Sequence, residues 1–96
     1  MSQAVYTIKM PDGVAALIRS LHPSLKKKIR TGMDMIVQTP LIGKPLKQDL
    51  QGLYSYRIGK FRIVYRLHGK VIELVAIGPR KHIYSETYRL LRSENH

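Results

Sequence analysis

The sequence predicts an α+β domain. Three observations carry that reading. Across residues 53–77, strand-forming runs are separated by short glycine-containing turns, the pattern of an antiparallel meander. Across residues 14–36, apolar side chains recur at helical spacing in two stretches split by Pro23. One strand-forming run precedes these elements and one short helical run follows them. The resulting order is β-α-α-β-β-β-α. A chain of 96 residues holds one core, so residues 1–96 are read as a single domain.

Residues 4–10 form the first expected strand, on Val5, Tyr6 and Ile8. Pro11-Asp12-Gly13 breaks it and opens a helix. Val14, Leu17, Ile18 and Leu21 fall at i, i+3, i+4 and i+7, which predicts one buried stripe. His22-Pro23 ends this helix, and Pro23 suits the first turn of the next. The second helix spans 23–38, with Leu25, Ile29, Met33 and Ile36 on its buried side. Lys26, Lys27, Lys28 and Arg30 lie mostly off that side. The single turn between the helices predicts an antiparallel helical hairpin. Residues 41–52, punctuated by Gly43, Pro45 and Gly52, read as a loop.

Strands are expected at 53–58, 61–67 and 71–77, joined through Gly59-Lys60 and through His68-Gly69-Lys70. Gly78-Pro79 is expected to stop the last strand, and 83–92 to form a final short helix. A two-residue turn at Gly59-Lys60 pairs Ile58 with Phe61, Arg57 with Arg62, Tyr56 with Ile63 and Ser55 with Val64. Side chains alternate between faces. One face then carries Tyr54, Tyr56, Ile58, Phe61, Ile63 and Tyr65 and is expected to be the core. The other carries Leu53, Ser55, Arg57, Arg62, Val64 and Arg66. Arg57 and Arg62 become like-charged cross-strand neighbours, which destabilises a sheet unless an anion is bound or the tips diverge.

The charge balance is lopsided: 17 Lys+Arg against six Asp+Glu give a net +11. Such an excess favours a polyanionic partner, nucleic acid first. An acidic protein is compatible with the same charge. No basic amphipathic helix with a wide apolar face points to a membrane. The absence of cysteine excludes disulfides, thiolate catalysis and Cys-based zinc sites. The start of the sequence has no apolar run after a basic start, and no stretch approaches a membrane span, so a cytoplasmic protein is expected. The acidic residues are scattered, whereas a two-metal nuclease needs them clustered. Metal-independent chemistry with no cofactor is therefore expected. Arginines seeded through 57–80, followed by His82 and Tyr84, suit gripping an RNA phosphate while a proton moves. His22 and His68 sit at turns and read as structural.

The stretches Tyr56-Arg57-Ile58-Gly59-Lys60-Phe61-Arg62-Ile63-Val64-Tyr65 and Gly78-Pro79-Arg80, then Ile83-Tyr84-Ser85-Glu86, resemble the RelE/ParE superfamily of bacterial and archaeal toxins. The approach through Leu46-Lys47, Leu50 and Gly52 fits as well. The resemblance covers nearly the whole chain and implies a curved antiparallel sheet with helices packed on it. Its RelE-like branch implies ribosome-dependent cleavage of messenger RNA by 2′-OH attack. Its ParE-like branch implies inhibition of DNA gyrase without catalysis. A plain RNA- or DNA-binding module is a third reading of the charge. Both branches imply a cognate antitoxin, expected here to be acidic, through which operator DNA is bound.

By position, Arg62 matches the family's phosphate-gripping arginine and Arg80 the arginine after the last strand. Tyr84 matches the tyrosine of the final segment. Arg57 falls where the RelE branch has the second of two strand lysines, and Ser55 where it has the first. Serine cannot replace a lysine base unaided. His82 is therefore the further candidate for moving a proton, because an imidazole titrates near cellular pH. The candidate catalytic set is Arg57, Arg62, Arg80, Tyr84 and His82.

Overall fold

The computed structural model describes residues 5–79 together with Ile83, Tyr84, Thr87, Arg89 and Arg92. Its elements are β1 (Thr7–Lys9), α1 (Asp12–Ser20), α2 (Pro23–Gln38), β2 (Lys44–Pro45), a 3-10 turn at Gln48–Leu50, β3 (Leu53–Ile58), β4 (Phe61–His68) and β5 (Val71–Pro79). Ile83, Tyr84, Thr87, Arg89 and Arg92 have helical backbone, within the span expected for the final helix. The α+β class holds. The sheet has five strands in the order β1-β5-β4-β3-β2. Its meander is antiparallel, but β1 joins β5 in parallel, so the whole sheet is mixed.

Local chemistry supports both helices. Asp12 places a carboxylate in the first turn of α1 and Arg19 a cation in its last, both favourable to the helix dipole. His22 caps α2: its Nδ1 accepts from the Ser24 backbone N–H at 3.1 Å, with Pro23 in the first turn behind it. Ile29, Gly32 and Ile36 form the buried line of α2, with Leu25 and Met33 half-buried beside it. On α1, Val14 is buried and Ile18 packs against the core, as does Leu21 just past its end, but Leu17 is 39% exposed. At about 100° per residue, Leu17 lies about 60° round from Val14, on the border of a narrow stripe.

The β3–β4 register is the one expected, from Leu53 opposite Arg66 through Arg57 opposite Arg62 to Ile58 opposite Phe61. Gly59 supplies the positive φ, +58°, that this tight turn requires. The next turn is also two residues, Gly69-Lys70, because His68 stays in β4 opposite Val71. Three other boundaries differ from expectation. The first strand is shorter, since β1 pairs only with Val71, Ile72 and Glu73. The last strand runs through Gly78-Pro79 instead of stopping before them. Beyond Glu73, β5 has β4 as its one strand neighbour among the described residues, so Pro79 interrupts no second ladder. The loop at 41–52 contains an edge strand, with Lys44 opposite Ser55 and Pro45 opposite Tyr54.

Both faces of the sheet are covered. Val14, Ile29 and Ile36 from the helices meet Ile63, Tyr65, Ile72, Leu74 and Ile77 on the expected core face. The opposite face carries a second cluster of Leu53, Val64, Val75, Ala76 and Ile83, with Leu46, Leu50 and Tyr84 packed against it. A β-bulge feeds that cluster: Val64 pairs with Ala76 and Tyr65 with Leu74, which leaves Val75 as the extra residue. Tyr65 is fully buried. Its hydroxyl donates to the Pro40 carbonyl at 2.7 Å and accepts from the Gly43 N–H at 3.0 Å. Burial, the larger effect, raises the Tyr65 pKa above its ordinary value.

Glu73 accepts from Arg66 Nε and faces His68 Nε2 at 3.2 Å. The hydrogen bond from Arg66 is the main reason its carboxyl is held below the usual glutamate range. A folded-state pKa below the unfolded one contributes stability that is present above the unfolded value, 4.5, and lost as pH falls through the folded value. Glu73→Gln is therefore expected to flatten the acid side of the Tm–pH curve. An unchanged acid limb counts against this linkage.

Candidate functional site

The second face of the sheet brings together side chains from three separate segments. Arg62 lies on β4 two residues before Val64, the partner of Ser55, and so stands diagonally across from Ser55 on β3. Diagonal neighbours on one face are within reach of a long side chain. Arg62 Nη1 donates to Ser55 Oγ at 3.2 Å. The Tyr84 hydroxyl, arriving from beyond β5, donates to the same oxygen at 3.3 Å. Ser55 is 2% exposed, so this junction is shielded from solvent. Val64 is the register partner of Ser55, and Val64, Ile83 and Tyr84 all belong to the second cluster.

Arg62 is half-buried, and its Nε is buried with no hydrogen-bond partner among the described residues. A buried N–H left unsatisfied is unfavourable and is relieved by an acceptor brought from outside. Directly opposite Arg62 on its two sides stand Arg57 and Gly78. Gly78 carries no side chain, and a Cβ there would lie 3.4 Å from Ile83 Cδ1.

Arg57 is a register neighbour of Arg62, but its head group goes elsewhere. It is exposed, and its Nε donates to the Gly59 carbonyl at 3.2 Å. The cross-strand pair is thus tolerated because the two head groups take different acceptors. Arg57 also borders a cleft of about 550 Å³ between α2 and β3, with Lys27 and Lys28 along it and Met35, Tyr56 and Ile58 in its wall. Lys26, Lys27 and Arg30 border a second cleft between α1 and α2. The structure therefore joins Arg62 and Tyr84 through Ser55 and sets Arg57 to one side. Arg80 and His82 lie outside the described residues.

Ser55 is the member of the cluster to which sequence reasoning gave no role. The signal available was its diagonal position to Arg62, which follows from the turn at Gly59-Lys60. Its contact with Tyr84 depends on how the segment after β5 folds back, and no spacing in the sequence encodes that.

Similarity to known proteins agrees with this architecture. The double arginine-to-alanine mutant of E. coli toxin RelE in the free state superposes with a TM-score of 0.75 at 15% identity, over 94% of this chain and 97% of that one. The toxin–antitoxin complex RelBE2 from Mycobacterium tuberculosis gives 0.69 at 24% identity, over 79% of this chain and 99% of the matched chain. The archaeal RelE–RelB complex from Pyrococcus horikoshii gives 0.66 at 24%, over 79% and 96%. At these identities the likeness is one of fold. In sequence, Toxin RelE of Mycobacterium tuberculosis is 42% identical over 52 residues, 51% of this chain. That stretch is 48% of the relative, so the match spans about half of its length. The family model described as the ParE toxin of the type II toxin–antitoxin system parDE matches residues 12–84, most of the chain and all five of its longest elements in whole or part. The chain belongs to this toxin family, within the RelE/ParE superfamily.

Proposed function

We propose that the chain is the toxin of a toxin–antitoxin pair and that it acts as a ribosome-dependent endoribonuclease on messenger RNA. One observation carries the reading: a guanidinium with a buried N–H that finds no acceptor among the described residues and a phenol converge on one oxygen, in a chain of net charge +11. That combination suits a phosphodiester. The RNA 2′-OH attacks phosphorus, its proton leaves, the bond to the 5′-oxygen breaks, and that oxygen gains a proton. Charge gathers on the non-bridging oxygens along the way. Arg62 is aimed to offset it, and Tyr84 orients the attacking hydroxyl or handles a proton. Arg80 and His82 enter this proposal on sequence alone, as a second phosphate-binding cation and a proton carrier. Arg57, at the edge, adds longer-range attraction. The toxin's partner is an acidic antitoxin. The similar RelE–RelB complexes support such a pairing.

A ParE-type action, gyrase inhibition without catalysis, is the second reading, favoured by the description of the matching family. Two assays separate them. Toeprinting of translating ribosomes should reveal cleavage within the bound messenger, and a gyrase assay should show no added DNA breaks. Gyrase-linked breaks with intact messenger reverse the assignment.

Binding to ribosomes or RNA should also weaken steeply with salt. If three phosphates are neutralised, a fourfold rise in salt lowers affinity roughly tenfold or more. Affinity that stays flat over that range removes a polyanionic target.

A further inference from the structure

We propose that Ser55 is a positioning residue that locks Arg62 and Tyr84 into one reactive geometry; this rests on the endoribonuclease reading above. A buried serine most often satisfies its hydroxyl on nearby backbone. Here the partners of Ser55 Oγ among the described residues are two long-range side chains, Arg62 seven residues away and Tyr84 twenty-nine. A hydroxyl oxygen has two lone pairs, enough to accept from both donors at once. Serine is the smallest side chain that offers this, and a strand position fixes where the oxygen sits.

The geometry has consequences for both partners. An arginine on a strand has several rotatable bonds, and half-burial alone leaves its head group a choice of orientations. The bond from Nη1 to Ser55 removes that choice and leaves the other guanidinium N–H groups for a ligand. Tyr84 arrives from a different segment, and its hydroxyl meets the same oxygen. With Ser55 2% exposed, water does not compete for this junction. The separation between guanidinium and phenol is then set by one atom. In a reaction where one group holds the phosphate and the other meets the reacting hydroxyl, that separation must match the substrate.

The test is single-turnover cleavage of messenger RNA on programmed ribosomes over a range of toxin concentrations, with thermal melts alongside. Ser55→Ala is expected to lower the saturated rate roughly 10- to 100-fold, the effect of a misplaced reacting group. The half-saturating concentration should move less than about twofold, since phosphate binding by Arg62 persists. Ser55→Thr, which keeps the hydroxyl, should recover most of the rate. Ser55→Cys keeps the size but offers a weakly accepting sulfur, so it should behave like alanine and serves if the alanine variant folds poorly. On a Tyr84→Phe background, Ser55→Ala should cost less than it does alone, because the two act as a unit. Wild-type rates in both Ser55→Ala and Ser55→Cys, threonine as poor as alanine, or fully additive losses would each overturn the positioning role. A wild-type protein that cuts no messenger overturns the endoribonuclease reading itself, and this role with it. Active wild type with a weak Arg62→Ala variant leaves that reading standing, so the two failures are distinguishable.

Discussion

Arg62→Ala should reduce single-turnover messenger cleavage by at least about 100-fold, the scale of losing one preorganised charge stabiliser. The domain should stay folded. Arg62 belongs to neither apolar cluster, and its Nε already lies buried without a partner among the described residues. Truncation removes that unfavourable group. Ser55 loses one donor but keeps Tyr84. The melting temperature should therefore shift by only a few degrees, consistent with about 1 kcal/mol or less. Arg57→Ala is the informative contrast. Its side chain is exposed and tied to the Gly59 carbonyl, so its loss should lower the rate only about tenfold or less, through screened, longer-range attraction. A wild-type rate for Arg62→Ala dismisses the site described here. An Arg57→Ala defect as deep as that of Arg62→Ala means that Arg57 turns inward when substrate is bound.

The largest effect on stability is expected at Gly43. A Cβ there would stand 2.7 Å from the Tyr65 hydroxyl oxygen and 3.0 Å from its Cε1. Those atoms cannot retreat easily. Tyr65 has no exposed surface, stacks on Tyr54 with ring centroids 5.6 Å apart, and is held by hydrogen bonds to Pro40 and Gly43. Gly43→Ala should therefore push the 40–43 segment off the sheet and lose about 2 kcal/mol or more, from overpacking plus a strained hydrogen bond. For a domain of this size that is a fall of roughly 10 °C in Tm. A denaturant or thermal melt checks it, and a loss under about 0.5 kcal/mol, the range of an ordinary surface change, would mean that the segment moves freely.

The β3–β4 hairpin shows why part of this structure was legible in the sequence. Two-residue turns and a period of two leave one register that turns Tyr56, Ile63 and Tyr65 to the core together, and the observed pairs follow it. The limits of α2 were legible for a similar reason: proline stands at each end of the apolar stripe. Strand β2 was not, because two residues carry no periodicity and Pro45 argues against a strand unless the edge is known. The second face was half legible. Arg57 and Arg62 marked it as polar, yet Leu53, Val64 and Ala76 are buried there. They are covered by Leu46 and Leu50 from a loop and Ile83 from beyond β5, contacts that only the folded chain creates. The same holds for Ser55, whose importance arises from what reaches it rather than from its own type.

The parallel pairing of β1 with β5 also governs when this molecule comes into being. Thr7 waits for Val71, and Ile29 and Ile36 of α2 wait for Ile72, Leu74 and Ile77 of β5. Such contacts between distant points of the chain form late, because the intervening loop must first be closed. A nascent chain halted before residue 71 can form α1, α2 and the β3–β4 turn, but it has no β5 against which to seat them. Arg62 would then lack its neighbour Gly78, and Tyr84 would not yet exist. Under the proposed function, a ribosome making this protein is thus safe from it until the codon for Tyr84 has been read.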